Sequence, residues 1–444
     1  MPAPGRSVVV GPHRDRGAAP CFPFNRSSFR YMFFHHSISL PVSVALLLGC
    51  ATSFAETLEQ ITSEALRNNP ELRAFEESVA AAKGGVRTAR TLQNPEVTVD
   101  PGIRRVQEAG RNADLFHAEF ALSQLFKFPG KRALEIAIAQ RNVDLADIAL
   151  EGFRFQLAAK VRRAFYDGLA AEKIGQARTQ QVESAKAFVE SAKKRAEAGY
   201  ASDFETVKSQ ADLIAANKAL RQAELQKTTA RVTLNTLMAR SPSAPLKFTG
   251  DLGDVQPRGS RADFIALAMA RNPAIRTQTR QVALAGLNLR STRFGRRPDI
   301  AIGPSVEYLD NEQTYGLSAT LALPLWDQKK GAIETATAEQ KKALAELEKT
   351  RAEIAAEVTK TSATLQIAKD QLALYSPAFL DQLKNFMAQA EQGYAQSATT
   401  LLIYLDAKRT YFDTLADYYE SLAKVAETRS DLESAVGVPL DLKQ

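Results

Sequence analysis

No proline occurs between Pro129 and Pro242, and residues 131–196 inside that stretch are dominated by alanine, leucine, glutamate, lysine, arginine and glutamine, all strong helix formers. Apolar side chains recur at Leu150, Leu157, Val161 and Ala164, the spacing of one helical face. At ~1.5 Å per residue, an unbroken helix over this run is about 100 Å long. Helices of globular domains average about 11–12 residues, so a helix of this length has no place inside one. It needs a partner as long as itself.

An internal repeat supplies the candidates. Ala65–Arg73, with its Asn68-Asn69-Pro70-Glu71-Leu72 core, recurs as Ala268–Arg276 at an offset of 203. Asn94–Val97 recurs as Arg297–Ile300, and Ala196–Ala201 recurs as Ala390–Ala395 at an offset of 194. Three matches in one order predict two structural repeats, 56–240 and 260–440, joined by a proline- and glycine-containing linker at 241–259. Each repeat reads as an opening helix (64–92; 260–296), two period-2 strands, a long helix (131–196; 328–390), a Gly-Tyr turn and a returning helix (203–240; 398–436). The returning and opening helices of the first repeat together match the long helix in length, so stacked end to end they flank it completely. The second long helix carries the clearer seam, Leu347, Ile354, Val358, Leu365 and Leu372, and one flaw, Pro377, which should kink or break it.

The strands, 95–105, 115–126, 298–308 and 315–325, are long enough to cross a bilayer, yet four strands leave two open edges and too little width to close. Three copies give twelve strands and a barrel with a lumen, and for an exported chain the place for such a barrel is the outer membrane. The fold class that follows is mainly α with a small β part. Duplicated long-helix hairpins form a trimeric α-helical barrel, and four strands per chain contribute to a 12-stranded outer-membrane β-barrel.

Export is read from residues 1–55. Residues 37–49 form an apolar segment of signal-peptide length, too short to span a membrane as a helix. Met32 is a candidate start. Two processing routes stay open: cleavage after Ala55 behind Ser53-Phe54-Ala55, or lipidation at Cys50 behind Leu47-Leu48-Gly49. This segment also holds both cysteines and three of the four histidines. The remaining chain has only His117, which removes thiol nucleophiles, disulfides and Cys/His zinc sites, and no cofactor is implied. No nucleophile, metal or phosphate-binding constellation remains, so an enzyme is not expected. Beyond residue 55 the charges nearly balance, 52 basic against 49 acidic, which argues against a nucleic-acid partner. Lys193-Lys194-Arg195 reads as a solvated helix end, and Trp326 and Tyr308 read either as interfacial aromatics or as residues packed beside the strands.

Taken together, the duplicated halves, Asn-Asn-Pro-Glu-Leu at 68–72, Phe128-Pro129-Gly130-Lys131 after the first strand pair, Leu323-Pro324-Leu325-Trp326-Asp327 after the second, and Gly199 and Gly393 resemble the TolC-like outer-membrane efflux proteins, in particular their CzcC/CusC branch. The resemblance implies a homotrimer with its barrel among outer-membrane lipid and its helices in the periplasm. It also implies a periplasmic adaptor (membrane fusion protein) and an inner-membrane transporter as partners, so that the chain is a passive exit duct, possible cargo being heavy-metal cations. A type I protein-secretion duct and a periplasmic coiled-coil scaffold without a barrel are the alternatives. By the same resemblance Gly199, Tyr200, Gly393 and Tyr394 form the adaptor-contacting tip, with glycine allowing a left-handed helix end and tyrosine exposed for a partner; capping and packing of the hairpin is the competing role. Asp406 is the aperture candidate, although it lies 13 residues after Gly393, farther than the pattern asks. An extra turn at Ser397–Thr400 would restore the register, and a plain solvated carboxylate is the other reading.

Overall fold

The computed structural model describes residues 55–108, 111–199, 202–252, 259–310 and 312–440. The readings on Met32, Cys50 and Tyr200 lie outside the described residues.

The long helix is present. Helix α3 runs from Lys131 to Glu197, 67 residues without a break. The opening segment differs from the single helix expected at 64–92. It begins earlier and is divided into α1 (Leu58–Asn68) and α2 (Pro70–Arg90). The cause is Asn69-Pro70. Pro70 cannot donate inside a helix but fits its first position, and the Asn69 side chain caps the new start by accepting from the Glu71 and Leu72 N–H groups at 2.9 and 3.1 Å. The repeat at Asn272-Pro273 does the same between α5 (Arg261–Arg271) and α6 (Pro273–Phe294).

Those two asparagines also join helices end to end. The returning helix α4 (Asp203–Leu237) lies against the far part of α3, and Asn69 Nδ2 donates to the Leu237 carbonyl at 3.0 Å. Asn272 Nδ2 donates to the Ala435 carbonyl at 2.8 Å, at the end of the second returning helix α9 (Leu401–Val436). Both asparagines are buried, and each bond satisfies a helix-end carbonyl that lacks an intrahelical donor. The end-to-end flanking of the long helix is thus the observed arrangement.

The second long helix is broken where Pro377 stands. Helix α7 (Lys330–Ala373) ends, and α8 (Pro377–Ala395) restarts with Ser376 as its N-cap. The hydrophobic core follows the helices as a line instead of gathering in one centre. Its largest part joins α1, α3 and α4 through Ile61, Leu157, Val161, Phe165, Leu234 and Met238, and a second part joins α5, α7 and α9. The residues after α4 are more than a linker. Ala55–Glu56 (β1) and Lys247–Phe248 (β4) form a short parallel pair, and Phe248 packs onto α3 at Gly168, where a Cβ would meet its ring at 2.4 Å.

Four strands form one antiparallel sheet in the order β2 (Glu96–Glu108), β3 (Arg111–Phe126), β5 (Ile300–Leu309), β6 (Glu312–Leu321). The first pair is longer than expected, because pairing continues to Glu108↔Arg111. Between β3 and β5 the ladder lapses around Gly303-Pro304, since Pro304 has no N–H to give and a Cβ on Gly303 would stand 1.6 Å from the Leu122 oxygen. The outer edges of β2 and β6 have no partner among the described residues.

Candidate functional site

Two places hold the candidate site residues: the faces of the sheet and the far end of the helices. The register sorts the sheet residues. Val97, Val99 and Ile103 on β2 oppose Leu122, Phe120 and Phe116 on β3. Phe120 and Phe126 oppose Val306 and Ile300, and these oppose Tyr315 and Leu321. All of these lie on one face, because side chains alternate along a strand. Val97, Ile103, Tyr315 and Leu317 on this face are 70, 76, 73 and 75% exposed. The opposite face carries Asp100, Glu119 and Glu307 side by side, with His117, Thr314, Ser318 and Thr320 around them. His117 Nε2 lies 3.1 Å from Glu307 Oε1. His117 and Glu119 therefore belong to the polar side of a two-faced sheet. Tyr308 sits on the apolar face with its ring edge-on to Phe120 at 6.0 Å, and Trp326 is 91% exposed and is not packed beside the strands of its own chain.

At the far end, α3, α4, α8 and α9 meet in an aromatic cluster. The rings of Phe188 and Tyr404 are 5.2 Å apart, and Tyr394 stacks on Tyr404 at 5.5 Å. The Tyr394 hydroxyl donates to Glu205 at 3.0 Å, and the Arg195 guanidinium lies 4.9 Å from its ring centre. Lys408, almost fully buried, donates to Asp212 at 3.1 Å. Burial pulls the Lys408 ammonium below its ordinary range, against the opposing pull of Asp212. Burial pushes the Tyr394 hydroxyl up, helped by its bond to Glu205, and does the same to Tyr404. The Tyr394–Tyr404 stack lies within the second hairpin; the contacts of Phe188 with Tyr404, of Glu205 and Arg195 with Tyr394 and of Asp212 with Lys408 cross from one hairpin to the other, so the cluster fixes how the hairpins meet.

This end corrects three expectations. Tyr394 is 7% exposed and its polar tip is spent on Glu205, so the packing role is the observed one and the tyrosine is not open to a partner in this chain. Gly393 is not the left-handed turn residue. It lies in the last turn of α8, and Ser397 takes the left-handed conformation, φ 59°. The Ala398 N–H bonds back to the Gly393 carbonyl at 2.7 Å and the Ser397 N–H to Tyr394 at 3.0 Å, a Schellman end. Gly393 is needed instead for close approach, since a Cβ there would meet Thr399 at 2.8 Å. In the first hairpin Gly199 does hold the left-handed position, φ 77°.

The structural partner of Gly199 is therefore Ser397, an offset of 198 and not 194. The same offset relates the N-caps Ser202 and Thr400 and the helix-end carbonyls of Leu237 and Ala435. The Gly-Tyr match in the sequence lies one helical turn out of register with the fold, and no extra turn is inserted at 397–400. Asp406, exposed on α9, is nine residues past the turn when counted from Ser397. The sequence reading missed Glu205, Asp212, Tyr404 and Lys408. The paired N-caps were the available signal for the register.

No group of three or more metal-ligating side chains occurs among the described residues, and none of their helices is long and apolar enough to cross a membrane.

A four-stranded sheet, apolar on one face, polar on the other and open at both edges among the described residues, carried on helices of this length, is the architecture of a channel-type protein. The family model "Outer membrane efflux protein" matches residues 61–240 and 264–438, and the chain belongs to that family. It is 22% identical to the cobalt-zinc-cadmium resistance protein CzcC of Cupriavidus metallidurans, over 86% of this chain and 90% of that one. It is 24% identical to the nickel-cobalt-cadmium resistance protein NccC of Alcaligenes xylosoxydans xylosoxydans, over 74% and 75%. Among solved structures it is similar to CusC, with TM-score 0.71 and 16% identity over 87% of this chain and 93% of that one. A membrane protein from Pseudomonas aeruginosa gives TM-score 0.73 and 20% identity over 85% and 93%. These relatives agree with the CzcC/CusC branch indicated by the motifs.

Proposed function

We propose that the chain is the outer-membrane exit duct of a tripartite efflux system, a homotrimer built from two structural repeats per chain (56–240 and 260–440). The observation that carries this is the sheet, whose apolar and polar faces suit lipid and lumen while both edges stay open. The helices support it. Val207, Ile214, Leu225 and Val232 form an exposed seam along α4, and Ile367 on α7 and Leu374 at its C-cap are exposed. Seams of this kind bury themselves against the next copy. Three copies close twelve strands, and the helices then extend into the periplasm as a hollow cylinder. The tip around Gly199 and Tyr200 meets a periplasmic adaptor and, through it, an inner-membrane pump, and Asp406 faces the aperture. Divalent heavy-metal cations are the proposed cargo, from the names of CzcC and NccC. The duct does no chemistry; it supplies a path.

The test is an unboiled against a boiled outer-membrane sample on a denaturing gel. A heat-modifiable band near three times the monomer mass supports the duct, and a soluble monomer removes it. Cargo is tested by whether the chain restores cobalt, zinc and cadmium resistance to cells that keep pump and adaptor but lack their duct.

A further inference from the structure

All four crossings between helix and sheet lie at one level, since Glu96 pairs with Ser123, Phe126 with Ile300 and Ile300 with Leu321 where the strands meet the helices. The end of α2 meets the start of α3 there, where Arg132 donates to the Arg90 carbonyl. The end of α6 joins them, with Asp299 accepting from the Phe128 N–H at 2.7 Å and the Arg297 guanidinium 4.8 Å from the Phe128 ring. The stretches that make this collar, 87–96, 127–132, 290–299 and 322–330, hold eleven lysines and arginines against three carboxylates. That surplus of eight exceeds the net charge of the whole chain, +7.

Its acids are largely engaged. Asp299 pairs with Lys131 at 2.9 Å and Asp327 with Lys329 at 3.7 Å. Arg90, Arg132, Arg293, Arg296 and Lys330 are exposed and have no carboxylate partner among the described residues. A solvated surface normally mixes its signs, and like charges gathered at one level repel unless anions are supplied from outside. Beside them the loop Leu323-Pro324-Leu325-Trp326 is bare: Leu323 is 60% exposed, Leu325 63% and Trp326 91%. Large apolar groups next to unpaired cations, at the level where an apolar sheet face ends, match the boundary between acyl chains and headgroups.

We propose that this collar is a docking surface for the phosphate headgroups of anionic phospholipid, with the Leu323–Trp326 loop seated in the same leaflet. The proposal rests on the reading of the sheet as a membrane barrel, and it adds which lipid gathers there and which residues gather it. Guanidinium groups suit phosphate because they offer paired donors.

Trp326 is the only tryptophan in the chain, so its fluorescence reports on the collar alone. The full chain is reconstituted into vesicles of one phosphatidylcholine–phosphatidylglycerol mixture, with bromine quenchers on the chains of either one lipid or the other. At low salt, quenching per molecule by phosphatidylglycerol should exceed that by phosphatidylcholine roughly threefold, since each basic residue near a charged surface attracts it. High salt should bring the two toward parity. The variant Arg293→Gln/Arg296→Gln/Lys329→Gln/Lys330→Gln should show parity at low salt while total quenching and the heat-modifiable band persist. Parity in the unmodified protein at low salt overturns the docking surface and leaves the duct standing, as does a preference that survives high salt or the four substitutions. Absence of quenching by either lipid removes the membrane reading itself.

Discussion

Helix α3 covers 67 residues in one piece, whereas its counterpart covers 330–395, almost the same distance, in two pieces divided at Tyr375-Ser376. The break interrupts the helix without changing the length it covers. Beyond it the two halves keep one register, offset 198, through the turn, the N-cap and the returning helix. Equivalent backbone stations are thus met with different residues. Gly199 faces Ser397, Ala239 faces Gly437, and the buried Asn235 faces the buried Glu433. What the duplication preserves is geometry, while the chemistry at each station has moved on.

The sharpest contrast is the last pair. Asn235 donates to the Pro242 and Ala244 carbonyls and pins the segment after α4. Glu433 accepts from Arg162 and lies 3.3 Å from Arg429 Nε. Removing one partner of a buried ionic group strands the others, so Glu433→Ala should lower unfolding free energy by about 3–5 kcal/mol. Asn235→Ala should cost about 1–3 kcal/mol, the range for unmet neutral hydrogen bonds. Denaturant unfolding of the detergent-solubilised protein measures both, and equal losses would break the contrast.

The Asn-Pro stations should behave alike. Asn69→Ala and Asn272→Ala each remove an N-cap and a bond to a helix-end carbonyl, at a cost of about 1–2 kcal/mol apiece in the same assay. A large difference between them would show that the joints are not equivalent.

The turn stations should behave oppositely. Gly199→Ala puts a Cβ on a left-handed residue and should cost about 1 kcal/mol, while Ser397→Gly relieves one and should gain about 0.5–1 kcal/mol. A loss at Ser397→Gly would mean that its side chain does more than occupy a turn.

The smallest effect is a pH trend that only the second returning helix carries, through Lys408. Its folded pKa is lowered by burial, so the folded protein binds fewer protons than the unfolded chain until pH approaches the ordinary lysine range. Stability should therefore rise with pH through the alkaline region below about 10. Tyr394 and Tyr404, raised by burial, act in the other direction above their ordinary range, and stability should fall there. Lys408→Met should abolish the rise and keep the fall, as read from unfolding midpoints across alkaline buffers.

Much of this was legible beforehand because it depends on period and punctuation. The unbroken α3, the Pro377 break and the two strand pairs follow from helix formers, one proline and alternation. The site was less legible. Gly393-Tyr394 looks like Gly199-Tyr200, yet a glycine can serve a left-handed turn or a close approach, and letters alone do not say which. Lys408 and Glu433 resemble any charged helix residue, and their burial is set by helices far away in sequence. The Asn-Pro pairs are visible in the sequence as a repeat but not as joints, because the second half of each joint is a carbonyl more than 160 residues away.

The interrupted seam between β3 and β5 also implies an order in time. Within each strand pair the partners are neighbours in the chain and can zip locally. Across the seam, His117 meets Leu309, and between them lie the whole of α3, α4, α5 and α6. Contacts that distant form slowly, because a long loop must close before they reward it. With Pro304 lacking a donor at its middle, the seam has no continuous ladder to speed it. Two hairpins are therefore expected to form first, with the apolar face completed when the helical body brings them together, an order that pulsed hydrogen exchange during refolding would read.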